Sequence, residues 1–445
     1  MSAIYIAGIA LCSVLAQWVA WAFKVPAILF LLLTGLLLGP FSGVLDPDAL
    51  LGDLLFPVVS LSVAVILFEG SLTLHFRELK GISKVVRNLC SIGMLTTCII
   101  ISLSAYWLLE LNWRVAAVLG AVLVVTGPTV IAPLLNSMRP TQDIDRILRW
   151  EGIVIDPIGA LFAVLVFEAV MLVGQGEVLS HTIIALVKTL GVGLSIGVVA
   201  GWVTTQLMRR EWLPFELHKF GILALVLISF SVSNYLSHES GLLAVTVFGI
   251  WLANQDDLEI DSVLEFKEDL SMILISTLFI LLAARLQLSD LMMLDSDVFI
   301  FLAVVLFIAR PMCIAISTFG TDLPMKSRLV LSWIAPRGIV AAAVGSVFAL
   351  SMMEAGVADA EKMVPLIFTV IIITVVLQSL TAIPVAKLLG VRQPSPNTIL
   401  IIGANHVSRA IGRGLKEQNI PVHLSDPAWE NCKMARMDGL PCYYG

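Results

Sequence analysis

Glu69, Glu151, Asp156, Arg310 and Arg337 are ionisable side chains within or beside apolar stretches of near-spanning length. A carboxylate near the bilayer centre costs roughly 2.5–3.5 kcal/mol on insertion scales, so such a group is by default an ion or proton site facing a bundle interior or an aqueous cavity. Arginine cannot cycle a proton, because its pKa stays above about 12. Two acids and two arginines can neutralise one another, and we assign Glu151 to Arg310 and Glu69 to Arg337 as structural ion pairs. Asp156 is then the unpaired carboxylate. Five residues separate it from Glu151, so the two project about 140° apart on a helix and need not share a partner. A buried carboxyl holds its proton tightly and an approaching cation displaces it, so proton and cation compete for one group. Combined with alternating access, that competition is a complete exchange mechanism. The plainer reading of Asp156 is a helix-internal acid hydrogen-bonded to a neighbour, or one at a span edge.

Other oxygens lie close in sequence. Pro157 lacks an N–H and leaves a backbone carbonyl one turn earlier without its helical donor. Thr126 and Thr129 are candidate additional ligands, by carbonyl or hydroxyl; their alternative role is hydrogen bonding between helices. Both flank Gly127-Pro128, a pair of helix breakers in the middle of an apolar stretch. Pro336 and Gly338 interrupt a second such stretch beside Arg337. Two broken membrane helices are the usual setting of a midplane ion site, although ordinary proline kinks would leave the same mark.

The elements that position these residues follow from composition. Of 445 residues 58% are hydrophobic and 13% charged, and the mean hydropathy is +0.97. A soluble domain carries about 25% charged residues, so the chain reads as a polytopic membrane protein. We place thirteen helical spans at 4–23, 26–39, 54–74, 87–109, 115–136, 150–173, 182–207, 218–236, 241–254, 271–288, 298–319, 327–353 and 363–389. The first span lacks a basic leader and a small-residue cleavage site, so it is no signal peptide. The broken fifth and twelfth spans are seven apart, which fits an inverted repeat of spans one to six on spans eight to thirteen. Sixteen Lys and Arg residues fall on one side against four on the other, Arg114, Lys188, Arg285 and Lys362. The positive-inside rule then places the N-terminus outside and the C-terminus in the cytoplasm, against an acidic inward loop at 255–269. All six cysteines read as free thiols, since none has metal-ligand spacing.

After the membrane domain, 1–390, a Pro- and Ser-bearing linker at 391–397 leads to a polar region at 398–445. An apolar strand running into Gly403, a helix over 405–418, a second strand ending at Asp426 and a third starting at Pro441 form the beginning of a Rossmann-like α/β domain. The pattern stops early, which reads as a chain truncated within a cytosolic domain. Gly403, Asn405 and Ser408 stand where a phosphate-binding loop would open the helix. Asp426 follows Gly403 by 23 residues, where a ribose-binding acid is expected. Asn405 and Ser408 replace the second and third glycines of that loop, so its signal is carried by context.

Phe68-Glu69-Gly70, the run from Thr126 to Leu135, the run from Trp150 to Pro157 and the run from Pro336 to Val340 together resemble the bacterial Na⁺/H⁺ antiporters of the monovalent cation:proton antiporter-1 family. The resemblance covers all thirteen spans. It implies crossed broken helices, a homodimer with dimerisation and core domains moving in an elevator-like cycle, Asp156 as the ion-binding acid, and a Glu151–Arg310 pair. Three positions depart from the family pattern: Ile155 where Asn commonly precedes the acid, Gly127 where many members have Asp, and Gly152 where Ser often follows the Glu. A depleted, roomier site would follow, with K⁺ as well as Na⁺ as candidate substrate. No second carboxylate adjoins Asp156, so we expect one cation per proton and electroneutral exchange. The tail resembles the nucleotide-binding (RCK/KTN) domain of many potassium transport systems, which implies a regulatory nucleotide such as NAD(H), AMP or ATP and no required cofactor.

The expected partners are Na⁺ or K⁺, protons, inner-membrane lipid and a second copy of the chain, with no nucleic acid. Two other readings stand beside an antiporter: a potassium efflux system gated by its nucleotide domain, and a membrane nucleotide sensor that no longer conducts. No nucleophile with its base and no metal cluster marks the chain as an enzyme.

Overall fold

The structure is a computed structural model that describes residues 2–23, 26–79, 81–171, 178–212, 214–237, 240–255, 261–285, 295–393 and 398–444. The chain divides into two compact units, Met1–Arg392 and Gln393–Gly445. The expected linker at 391–397 straddles that division, and its residues 394–397 lie outside the described residues.

The first unit is helical. Among the described residues seven helices are long and apolar enough to cross a membrane: Ile4–Phe23, Ser83–Leu108, Gln142–Met171, Val187–Arg209, His218–Leu236, Ser296–Ser317 and Ala360–Leu388. Six shorter apolar helices accompany them, at Ala27–Phe41, Pro57–Ser71, Trp113–Val122, Ser240–Ala253, Asp269–Ala284 and Val340–Glu354. Their outward faces are as apolar as their packed ones. Trp18, Trp21, Phe23, Tyr235 and Leu388 all stand exposed, a surface that suits lipid and would aggregate in water.

Both predicted breaks are present. The fifth apolar stretch is two helices, Trp113–Val122 and Pro128–Met138, and the twelfth is Met325–Trp333 and Ile339–Glu354. Pro128 opens its helix at a position where a missing N–H costs nothing. The extended segments between the halves meet in a short antiparallel bridge from Thr126 to Arg337, with the Gly127 N–H donating to the Pro336 carbonyl at 3.3 Å.

Two helices start well before their apolar cores. Gln142–Met171 begins eight residues ahead of the expected 150, because Asp143 and Asp145 favour the positive end of the helix and Asp145 pairs with Arg149 at 2.8 Å, one turn on. Asp261–Ala284 begins ten residues ahead of the expected 271, so residues 261–269 of the supposed acidic loop at 255–269 are helical; residues 256–260 lie outside the described residues.

The second unit has a parallel three-stranded sheet in the order β1 (Ile399–Ile402), β2 (Val422–Asp426), β3 (Cys442–Tyr444). Helix His406–Glu417 connects β1 to β2, and Trp429–Met437 connects β2 to β3. The second of these helices was not anticipated from the sequence. Its core is small: Ala404, Val422, Leu424, Cys432, Ala435, Leu440 and Cys442. All six cysteines are free, and the Cys432 and Cys442 sulfurs lie 3.0 Å apart inside that core.

Candidate functional site

Asp156 sits at the middle of the helix Gln142–Met171, 1% exposed. Its Oδ1 has no hydrogen-bond partner among the described residues, and Pro157 frees the Ile153 carbonyl one turn away. An ionisable group desolvated to that degree is ordinarily paired. Among the described residues no ion pair reaches Asp156.

Glu151, on the same helix, has the opposite fate. Arg310 meets it as a two-pronged fork: Nη1 donates to Oε1, Nη2 donates to Oε2 at 2.8 Å, and Nε donates to the Leu331 carbonyl at 2.9 Å. Arg310 begins the helix Arg310–Ser317 directly after a π-helical turn at Val305–Ala309, and Pro311 follows it. Both partners are buried, which makes a planar fork the stable way to keep their charges.

Among the described residues no ion pair joins Glu69 to Arg337, contrary to expectation. Arg337 is 2% exposed and donates Nη1 to the Val124 carbonyl at 3.0 Å, while its backbone N–H donates to Thr374 Oγ1 at 3.3 Å. Val124 lies just past the C-terminal end of Trp113–Val122, where carbonyls lack helical donors and the helix dipole is negative. Arg337 therefore caps the other broken helix. Glu69 instead lines a cavity of about 440 Å³ together with Gln17, Thr73, Asn136, Arg149 and Ser271.

That cavity reaches Pro128, Ile131 and Ile153, the last one turn from Asp156. Asp156 itself is not among its described lining residues. Gly152 does not make the site roomier, as its place in the sequence suggested. A Cβ there would meet Ile131 Cδ1 at 2.9 Å, so a methyl group already fills the space that a serine would take. Thr126 is buried with Oγ1 unpartnered, as is Arg337 Nε. The backbone of Thr129 lies in the first turn of Pro128–Met138; its side chain is outside the described residues.

At the crossing the two backbones touch. A Cβ on Gly338 would meet the Gly127 nitrogen at 2.9 Å and its Cα closer still. Gly338→Ala is expected to cost about 1–3 kcal/mol by forcing the crossing apart, seen as a lower thermal midpoint in detergent. An unchanged midpoint would show that the contact has slack.

In the second unit, Gly403, Asn405, Ser408 and Asp426 gather at the C-terminal ends of β1 and β2, the edge where such sheets bind ligands. Gly403 has φ +96° and donates its N–H to the Ser425 carbonyl at 2.6 Å. Asn405 Oδ1 accepts from the Ser408 N–H at 2.9 Å and so caps the helix. Asp426 is engaged by three donors. It accepts from the Ala404 N–H at 2.6 Å, the Ala428 N–H at 2.7 Å and Asn431 Nδ2 at 3.1 Å, and the backbone donors hold its carboxyl below the usual range. Its carboxylate ties two loops together, with three of its acceptor positions taken by the protein itself.

Known proteins share this architecture. A family profile described as "Sodium/hydrogen exchanger, transmembrane" matches residues 8–388. The K(+)/H(+) antiporter NhaP of Alkalimonas amylolytica and the K(+)/H(+) antiporter NhaP2 of Shewanella baltica are each 25% identical over 389 residues, 86% of this chain and 66% of theirs. The chain thus spans just under two thirds of the length of these relatives. The Na(+)/H(+) antiporter 1 of Methanocaldococcus jannaschii is 25% identical over 355 residues, 76% of this chain and 80% of that one. The solved structure of the sodium proton antiporter MjNhaP1 from the same organism at pH 8 superposes with a TM-score of 0.74 at 24% identity, covering 88% of this chain and 100% of that one.

Proposed function

The chain belongs to the sodium/hydrogen exchanger family, a family of multi-pass membrane transporters rather than enzymes, and on that premise we propose that it exchanges a monovalent cation for a proton, with Asp156 holding one or the other in turn. The observation that carries this reading is the Asp156 carboxylate: buried, free of any arginine among the described residues, and on a helix packed against both halves of a broken one. A charge left without a partner at such a depth is retained for a ligand that comes and goes. Thr126, in the extended segment between the halves of that broken helix and with an unpartnered hydroxyl, is the candidate second oxygen.

The seven long and six shorter apolar helices support a thirteen-span arrangement, and the paired breaks support an inverted repeat. The distribution of Lys and Arg favours an outside N-terminus and a cytoplasmic second unit. Relatives named for K⁺ and for Na⁺ exchange match about equally, and with Gly127, Gly152 and Ile155 in place of polar side chains we propose that either ion is accepted. With one carboxylate, exchange is one for one and electroneutral. A second copy of the chain is the proposed partner, in an inner membrane. The committed Asp426 gives no support to gating by a nucleotide.

Reconstitution in proteoliposomes with an internal pH dye tests the reading. Adding K⁺, Na⁺ or Li⁺ outside is expected to move protons with K⁺ or Na⁺, unaffected by an imposed membrane potential. Silence with every cation would favour a sensor that does not transport, and a response to potential would refute the one-for-one ratio.

A further inference from the structure

Cys432 and Cys442 come from different elements, the helix Trp429–Met437 and the strand β3, yet their sulfurs lie 3.0 Å apart. Among the described residues they are the only cysteines whose sulfurs hydrogen-bond to each other. The fold of the second unit sets the contact. β3 pairs with β2 at Leu424 and Cys442, and the helix between the strands turns its buried residues, Cys432 and Ala435, into the same small core. The return from helix to strand is held closed: the Leu440 N–H donates to the Ala435 carbonyl at 2.9 Å, and Arg436 Nη2 donates to the Cys442 carbonyl at 2.9 Å.

Both residues are thiols here. Cys442 Sγ donates to Cys432 Sγ, and Cys432 Sγ donates to the Asp426 carbonyl at 3.3 Å. Closing the two sulfurs to the bonded separation of about 2 Å takes about 1 Å of movement. Only one of them has to meet an oxidant. Cys442 is 8% exposed, whereas Cys432 is fully buried and can react only with a partner already inside. Burial pushes the Cys442 thiol up to about 11, with Cys432 and Asp426 adding to the rise and Arg436 opposing it. The thiolate is the reactive form, so oxidation near neutral pH is slow and answers a sustained oxidant.

We infer that Cys432 and Cys442 form a reversible thiol–disulfide modification site for a peroxide. The Cys442 thiolate attacks one peroxide oxygen; an S–O bond forms, the O–O bond breaks, and the departing hydroxide takes up the proton that the thiol lost and leaves as water. Cys442 is then a sulfenic acid. The Cys432 sulfur attacks the Cys442 sulfur; the S–S bond forms, the S–O bond breaks, and the hydroxyl leaves with the Cys432 proton as a second water. Two thiols are oxidised and one peroxide is reduced to two waters. The new bond fastens the helix Trp429–Met437 to β3 and removes the thiol proton that the Asp426 carbonyl accepts. This site stands independently of the antiport reading.

The test is peptide mapping of the full chain in detergent after treatment with hydrogen peroxide, the remaining thiols being alkylated as the protein is unfolded. Tryptic cleavage after Lys433 and Arg436 puts the two cysteines on separate peptides. A bond between them is therefore read as one linked species, about 2 Da lighter than the two peptides together. Wild-type protein should give that species and lose two of its six thiols, with Cys12, Cys90, Cys98 and Cys313 still alkylated, and dithiothreitol should restore all six. Cys432→Ser should give no linked species and leave Cys442 as a sulfenic acid that dimedone labels. Wild-type protein with both residues alkylated after peroxide overturns the inference, as does a link from either one to a different cysteine, or a link that forms only when the chain is unfolded before peroxide is added.

Discussion

Asp156→Asn is expected to reduce cation-dependent proton movement to the background of protein-free vesicles, with K⁺ and with Na⁺ alike. The amide keeps the size and two polar atoms of the carboxyl, so packing around a residue 1% exposed should survive. What it loses is the proton to release and the charge to attract a cation. Asp156→Asn should therefore fold as well as the wild type or better, because the desolvated charge is gone. The two measurements belong together: a normal thermal midpoint with no transport locates the loss in the chemistry, whereas exchange that survives in Asp156→Asn would remove this carboxylate from the mechanism.

The second large effect concerns Glu151 and Arg310, and there stability falls first. Removing one member of a buried pair strands the other, at a cost of about 3–5 kcal/mol. Glu151→Gln leaves the Arg310 guanidinium buried without a counter-charge, facing only neutral acceptors: the Leu331 carbonyl and one amide oxygen. Both Glu151→Gln and Arg310→Met should lower yield and thermal midpoint sharply. The double variant Glu151→Leu with Arg310→Met should recover most of that loss, since no charge remains buried. If the double variant melts as low as the sum of the singles, the pair does not act as a unit.

Much of this arrangement was readable from residue types because membrane helices are punctuated so plainly. Gly127-Pro128 and Pro336 with Gly338 favour an interrupted helix, and both breaks fell where they mark. The Glu151–Arg310 contact was one of two ways to pair two acids with two arginines, and counting charges could not choose partners. Arg337 shows why: a broken helix ends in carbonyls that compete with carboxylates for a guanidinium, and Val124 prevailed over Glu69. The space at Gly152 was misjudged for a related reason, because a missing side chain says nothing about which neighbour, here Ile131, moves in. Helix Trp429–Met437 escaped notice since only Cys432 and Ala435 of its nine residues are buried, too few to make a period. The polar start at Gln142 hid from hydropathy, though Asp145 and Arg149 at four-residue spacing were a usable sign.

The helix Gln142–Met171 carries both the locked Glu151 and the free Asp156 in one unbroken run of 30 residues, about 45 Å long. It is a beam pinned a turn and a half from its working point. In the proposed exchange cycle, a tilt that offered Asp156 to one side of the membrane would carry Arg310 and its helix along, so this salt bridge would fix which helices travel together.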